Sequence, residues 1–101
     1  MIVFPSEDKK SICVQDMQVQ PDGTITIEEA AALANGLVDA IQQCDRELKI
    51  TVQVPKHQPT QAQLIAAVAR VSHIRRSMQD RPWNDVKTNT ELVMRVLEAC
   101  L

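Results

Sequence analysis

The sequence predicts an α+β fold, in which a small antiparallel or mixed sheet of about three short strands is covered by three helices in the order β-β-α-β-α-α. Three threonine-led capping boxes, each followed by apolar residues at helical spacing, predict the helices. Alternating apolar and polar residues predict the strands. With 101 residues, 45% hydrophobic and 24% charged, the chain has the size and composition of one globular domain. We therefore expect residues 1–101 to form a single α+β domain.

The first 25 residues carry the weakest signals. Residues 2–4 and 12–19 have the composition of strands and are separated by a charged run over residues 7–10. Pro21, Asp22 and Gly23 then form a good turn sequence, because proline fixes φ and glycine accepts a positive φ. Residues 24–27 could complete a hairpin before the first helix.

The first helix is predicted over residues 27–46. Thr26 and Glu29 fit a capping box, in which the threonine hydroxyl accepts a hydrogen bond from the glutamate N–H. The apolar residues that follow share one side of a helix: Ile27, Ala30, Leu33, Ala34, Leu37, Val38, Ile41 and Cys44. Gly36 falls on the polar side, where it weakens the helix by about 1 kcal/mol relative to alanine, and no function is assigned to it.

A strand is predicted over residues 48–54, where four aliphatic residues alternate with polar ones. Pro55 and Pro59 end this strand. The second helix begins at the capping box of Thr60 and Gln63 and runs to about residue 80. His57, between the two elements, is interpreted as a solvated loop residue, so the junction is predicted to be structural.

The second helix places a basic side opposite its apolar stripe. Arg70, His73 and Arg76 share this side. Arg75 instead projects into the apolar stripe, where its methylene groups can cover the core while the guanidinium stays in water.

The third helix, predicted over about residues 88–101 behind a capping box of Thr88 and Glu91, is the most apolar. Its apolar side chains cover roughly 200° of the circumference, more than a surface helix usually buries. Because a small monomer rarely exposes a contiguous apolar patch of that size, we expect a homo-oligomer, most simply a dimer, to form through this helix. The predicted self-contact residues are Leu92, Val93, Val96, Leu97 and Cys100.

The net charge of −2 is unevenly distributed. Residues 1–52 carry nine acidic and four basic groups, a sum of −5, and residues 53–101 carry four acidic and seven basic groups, a sum of +3. This asymmetry could attract partners of opposite sign, or the two halves could face each other. The three cysteines have no C-x-x-C spacing, and no apolar run reaches the length of a membrane span. We expect free thiols, a cytoplasmic location and no membrane partner.

The residue types that carry chemistry lack recognisable spacing. Cys44, His57 and His73 have neither the i, i+3 nor the C-x₂-C pattern of metal sites. No glycine-rich elbow or oxyanion turn accompanies a cysteine. The two glycines cannot supply a P-loop or a Rossmann phosphate loop. The sequence therefore predicts no catalytic residue, no cofactor and no metal.

The resulting functional prediction is a small non-catalytic protein that binds other proteins, as a regulator, adaptor or inhibitor. Its predicted partner-binding residues are Arg70, His73, Arg76 and Trp83, although Trp83 could instead seal the edge of the core. The alternative is a DNA-binding transcriptional regulator that uses the basic side of the second helix, with nucleic acid as partner; a pI near 5.6 is acidic for that role. A cysteine-dependent enzyme is the second alternative.

Overall fold

The fold, seen in a computed structural model, combines a β-hairpin with helices. The structure describes residues 1–77 and 86–101, and for residues 86–90 it describes the backbone alone. Within these ranges the elements are β1 (Ile2–Pro5), β2 (Ile12–Gln15), α1 (Ile27–Gln42), α2 (Arg46–Thr51), α3 (Gln61–Ser77) and α4 (Val86–Ala99). The predicted α+β class is confirmed, but the described residues form two strands and four helices instead of three of each.

The two N-terminal strands pair antiparallel and cover one side of α1. Val3 of β1 is the cross-strand partner of Val14, which is fully buried. Side chains alternate between the faces of a strand, so this pair fixes which face meets the core. The hairpin loop is tied to the chain after α1 by a 2.8 Å hydrogen bond from the Asp45 N–H to the Lys9 carbonyl. The first two predicted strands are thus confirmed in type, although β2 ends at Gln15 and not at residue 19.

Helix α1 is the centre of the molecule, because it contacts both strands and all three other helices of the described chain. It begins as predicted: Thr26 Oγ1 accepts from the Glu29 N–H over 3.1 Å. Leu33 and Leu37, on the predicted apolar side, are completely buried. The helix ends at Gln42, four residues earlier than predicted.

The predicted strand over residues 48–54 is wrong. Residues Arg46–Thr51 form the short helix α2, in which the Val52 N–H donates to the Leu48 carbonyl over 2.9 Å. Leu48 and Val52 fit both an alternating pattern and a helical i, i+4 pattern, so periodicity cannot decide between them. A helix makes its hydrogen bonds locally, whereas a strand needs a partner. No residue from 48 to 54 belongs to a strand, although the backbone of Val52, at the end of α2, is extended.

Helix α3 begins at the predicted capping box, which is complete. The Gln63 N–H donates to Thr60 Oγ1 over 3.2 Å, and the Thr60 N–H donates to Gln63 Oε1 over 2.8 Å. The third predicted box is not at a helix start, because α4 begins at Val86 and Thr88 is its third residue. Among the described residues, no helix has the length and apolar character needed to cross a membrane.

The apolar side of α4 is buried within the chain itself. Each of the five predicted self-contact residues, Leu92, Val93, Val96, Leu97 and Cys100, is at most 6% exposed. Helix α4 packs against α3, against β2 and against α1, so three elements together cover these five side chains. The prediction that these side chains meet a second copy is therefore corrected: they belong to the core.

Candidate binding cleft

Three exposed apolar side chains line two adjoining depressions, whose linings include residues of α2 and of the end of α4. Within residues 1–77 and 91–101, five large apolar side chains are exposed, and three of them lie here: Ile50 (73% exposed), Leu101 (55%) and Met94 (42%). Ile50 and Leu101 line one cleft, and Met94 and Leu101 line the hollow beside it. Apolar groups that stay in water at one place on a surface are typical of a binding site.

We call the larger of these depressions the 49–58 cleft. It is lined by residues 49–58 except Thr51, by Thr60 and Gln63 at the start of α3, and by Cys100 and Leu101 after α4. Its volume is about 740 Å³, which falls within the range of ligand-binding cavities. The cleft therefore joins two parts of the chain, residues 49–63 and residues 100–101, that are far apart in sequence.

The local sequence explains why this wall is exposed. Leu48 packs against the core and Val52 is buried, one helical turn apart, so α2 rests on these two side chains. Ile50 lies on the side of α2 away from them and remains in water. Pro55 and Pro59 then prevent the helix from continuing, and the capping box of Thr60 starts the next one. The intervening segment forms one wall of the cleft.

The charged side chains on the lining are all basic. Lys49 and Lys56 line the cleft together with His57, and the lining contains no aspartate or glutamate side chain. All three are exposed. In a protein of net charge −2, this arrangement gives the cleft a local positive potential that favours acidic ligands.

The wall of the cleft also has unpaired backbone groups. In the described part of the chain, the backbone N–H groups of Gln53, Val54, Lys56 and His57 donate to no protein acceptor. The neighbouring hydrogen bonds end at the Val52 N–H and resume at the Thr60 N–H. These donors are therefore available to water or to a bound chain.

The predicted partner-binding residues on α3 lie elsewhere. Arg70 is half-buried, whereas His73 and Arg76 are exposed, and none of the three lines the 49–58 cleft. Arg76 lies by a separate hollow with Asp22. Hydrogen bonds from Thr24, and to a smaller extent the charge of Arg76, lower the pKa of Asp22. Trp83, the fourth predicted residue, lies outside the described residues.

Two of the three cysteines are buried. Cys44 is buried and its thiol donates to the Ala40 carbonyl over 3.3 Å. Burial raises the pKa of Cys44 and of Cys100, which is the opposite of thiolate activation. Cys13 is half-buried on β2. Among the described residues, no group of three or more His, Cys, Asp or Glu side chains is placed to hold a metal ion.

Sequence reasoning treated the junction around His57 as structural and so missed the cleft. The sequence contained one signal of the cleft: Ile50 is an aliphatic residue that does not lie on the buried side of α2. The other wall, formed after α4, could not be assigned without the tertiary packing. The chain matches no protein family model, no curated protein and no solved structure.

Proposed function

We propose that the protein is a small non-catalytic module that binds another protein through the 49–58 cleft. The observation that carries the proposal is the cluster of Ile50, Met94 and Leu101, which are exposed together beside a cleft of about 740 Å³. A small protein rarely leaves grouped apolar side chains in water unless a partner covers them. The sequence placed the contact surface on the apolar side of α4, but those side chains are buried in the core. We therefore place the contact surface at the 49–58 cleft instead.

A cytoplasmic location is part of this proposal. The support is chemical: Cys13, Cys44 and Cys100 are all unpaired thiols in the structure, and unpaired cysteines are typical of reducing compartments.

DNA binding through α3 is the alternative, because His73 and Arg76 are exposed on the same side of the helix, next to Arg70. If this surface binds duplex DNA, Arg76→Ala should weaken binding and reduce its salt dependence. Absence of any duplex binding by the unmodified protein at low salt would dismiss the alternative.

The protein-binding proposal is tested by selecting peptides from a random library displayed on phage, with the immobilised protein as target. Each enriched peptide is then synthesised and titrated against Ile50→Asp. Covering one isoleucine is worth about 1.5–3 kcal/mol, so we expect the variant to bind the peptides about 10–100-fold more weakly.

The matched control is Ile65→Asp on α3. Ile65 is 53% exposed and lies outside the cleft, so this variant makes the same chemical change at another exposed site. It should bind the selected peptides as the unmodified protein does. The proposal would be refuted if the selection enriched no peptide, or if every enriched peptide bound the two variants equally well.

A further inference from the structure

The chemistry of the 49–58 cleft narrows the class of its partner, and this inference rests on the proposed function. The lining combines exposed apolar surface, at Ile50 and Leu101, with the positive charges of Lys49 and Lys56. A ligand that satisfies both must place carboxylates close to apolar side chains. A purely apolar ligand would leave the lysines without counter-charges, and a purely acidic ligand would leave the isoleucine in water.

The shape of the surface favours an elongated occupant. Two further hollows adjoin the cleft. One, of about 340 Å³, shares the stretch from Pro55 to Gln58 and extends to α1; the other, of about 270 Å³, shares Val52, Gln53 and Leu101 and extends along α4. The three depressions therefore share lining residues along the segment 51–59, between α1 and α4. A compact small molecule would occupy only one of them, whereas an extended chain can follow all three.

The charges at the two ends differ from those in the middle. Asp39 lines the hollow next to α1, and Glu98 lines the hollow along α4. Lys49 lines the central cleft, and Lys56 lines both the central cleft and the hollow next to α1. The partner should therefore carry its acidic side chains where the bound segment passes these two lysines.

The backbone of the wall suits a peptide. Its free N–H groups at Gln53, Val54, Lys56 and His57 can donate to the carbonyl groups of an extended chain. A fatty acid or another simple amphiphile would satisfy the lysines with its headgroup but would offer no series of acceptors to these donors.

We propose that the 49–58 cleft binds an extended segment of another protein in which acidic side chains alternate with apolar ones. The carboxylates pair with Lys49 and Lys56, and the apolar side chains cover Ile50 and Leu101.

The test uses two fluorescein-labelled synthetic peptides with blocked ends, one of alternating glutamate and valine and one of alternating lysine and valine, measured by fluorescence anisotropy. We expect the glutamate peptide to bind the unmodified protein at least tenfold more tightly than the lysine peptide, because two lysine–carboxylate pairs are gained and two repulsions avoided. The affinity for the glutamate peptide should fall as salt is added.

Charge-reversal variants test whether the preference for the glutamate peptide arises in the cleft. The double variant Lys49→Glu, Lys56→Glu should reverse the preference between the peptides. The matched control, Lys9→Glu, Lys10→Glu, makes the same change in net charge on the hairpin loop, outside the cleft, and should keep the original preference. Replacing alternate backbone amides of the glutamate peptide by esters, whose carbonyl oxygens are weaker acceptors, tests whether the peptide carbonyls accept from the wall. We expect the ester peptide to bind at least tenfold more weakly than the amide peptide.

The outcomes separate this inference from the proposed function. If the two peptides bind equally, or if the cleft variant and the control behave alike, the acidic-segment inference is overturned, and library peptides that still depend on Ile50 would leave the proposed function intact. Tight binding of a fatty acid with no binding of either peptide would overturn both. Self-association of the unmodified protein that the cleft variant abolishes would assign the cleft to a second copy and overturn the assignment to a different protein.

Discussion

The packing of the hairpin on α1 depends on Gly36, and Gly36→Ala tests it. A methyl group added at this position would lie 3.0 Å from Val3 Cγ2 and 3.1 Å from Val3 Cβ, closer than the ordinary contact range of 3.4–4 Å. The tight fit at Gly36 therefore arises from the close approach of β1 to α1, and not from a positive φ, which Gly36 does not have. The sequence alone placed Gly36 on the polar side of the helix and assigned no function to it.

Two opposing effects set the size of the change. Alanine stabilises a helix interior by about 1 kcal/mol relative to glycine. Overpacking of a close contact costs about 1–3 kcal/mol. Taking about 2 kcal/mol for the clash, we expect Gly36→Ala to lower the free energy of unfolding by about 1 kcal/mol, a fall in Tm of about 4–8 °C for a domain of this size.

Urea unfolding followed by circular dichroism measures this free energy. In a Val3→Gly background both close contacts, to Cγ2 and to Cβ, are gone, so Gly36→Ala should there stabilise the protein by about 1 kcal/mol through helix propensity alone. The control is Asn35→Ala, at the exposed neighbouring position, which should stabilise by about 0.5 kcal/mol through helix propensity alone. If Gly36→Ala stabilises the protein as the control does, in both backgrounds, β1 does not pack against α1 as described.

Three further outcomes follow from the packing and the charges. Leu97→Ala should lower the free energy of unfolding by about 3 kcal/mol, because Leu97 is buried in the core; a change in oligomeric state without loss of stability would contradict this. Asp22→Asn should flatten the loss of Tm below about pH 4: the hydrogen-bonded carboxylate has a lowered pKa, so its stabilisation is present above the unfolded value and lost as pH falls through the folded one. An unchanged slope would show that this carboxylate does not contribute. Iodoacetamide at neutral pH should modify Cys13 well before Cys44 and Cys100, whose thiols are buried and have raised pKa values; equal rates at all three would argue against their burial.

Local signals in the sequence allowed us to predict where helices begin more accurately than which elements contact each other. The capping residues Thr26 and Thr60 work locally and were identified correctly. Leu48 and Val52 fit two periods at once, and that ambiguity led to the wrong strand. The wide apolar arc of α4 was recognised, but sequence could not show that α1, α3 and β2 would cover it from three directions.

The cleft could not be predicted from the sequence, because it also depends on contacts between elements. Its two walls come from residues 49–58 and from Cys100 and Leu101, and only the packing of α4 brings them together. Charge counting over whole halves of the chain also obscured it, because Lys49 belongs to the acidic half and Lys56 to the basic half.

The most direct test of the central claim is to map, by ¹⁵N–¹H NMR, where the glutamate–valine peptide contacts the protein. Binding in the 49–58 cleft predicts that the largest amide shift changes fall on residues 49–58 and on Cys100 and Leu101, with smaller changes near Asp39 and Glu98 at the two ends. Shift changes confined to the basic side of α3, at Arg70, His73 and Arg76, would contradict the claim and place the binding surface on that helix.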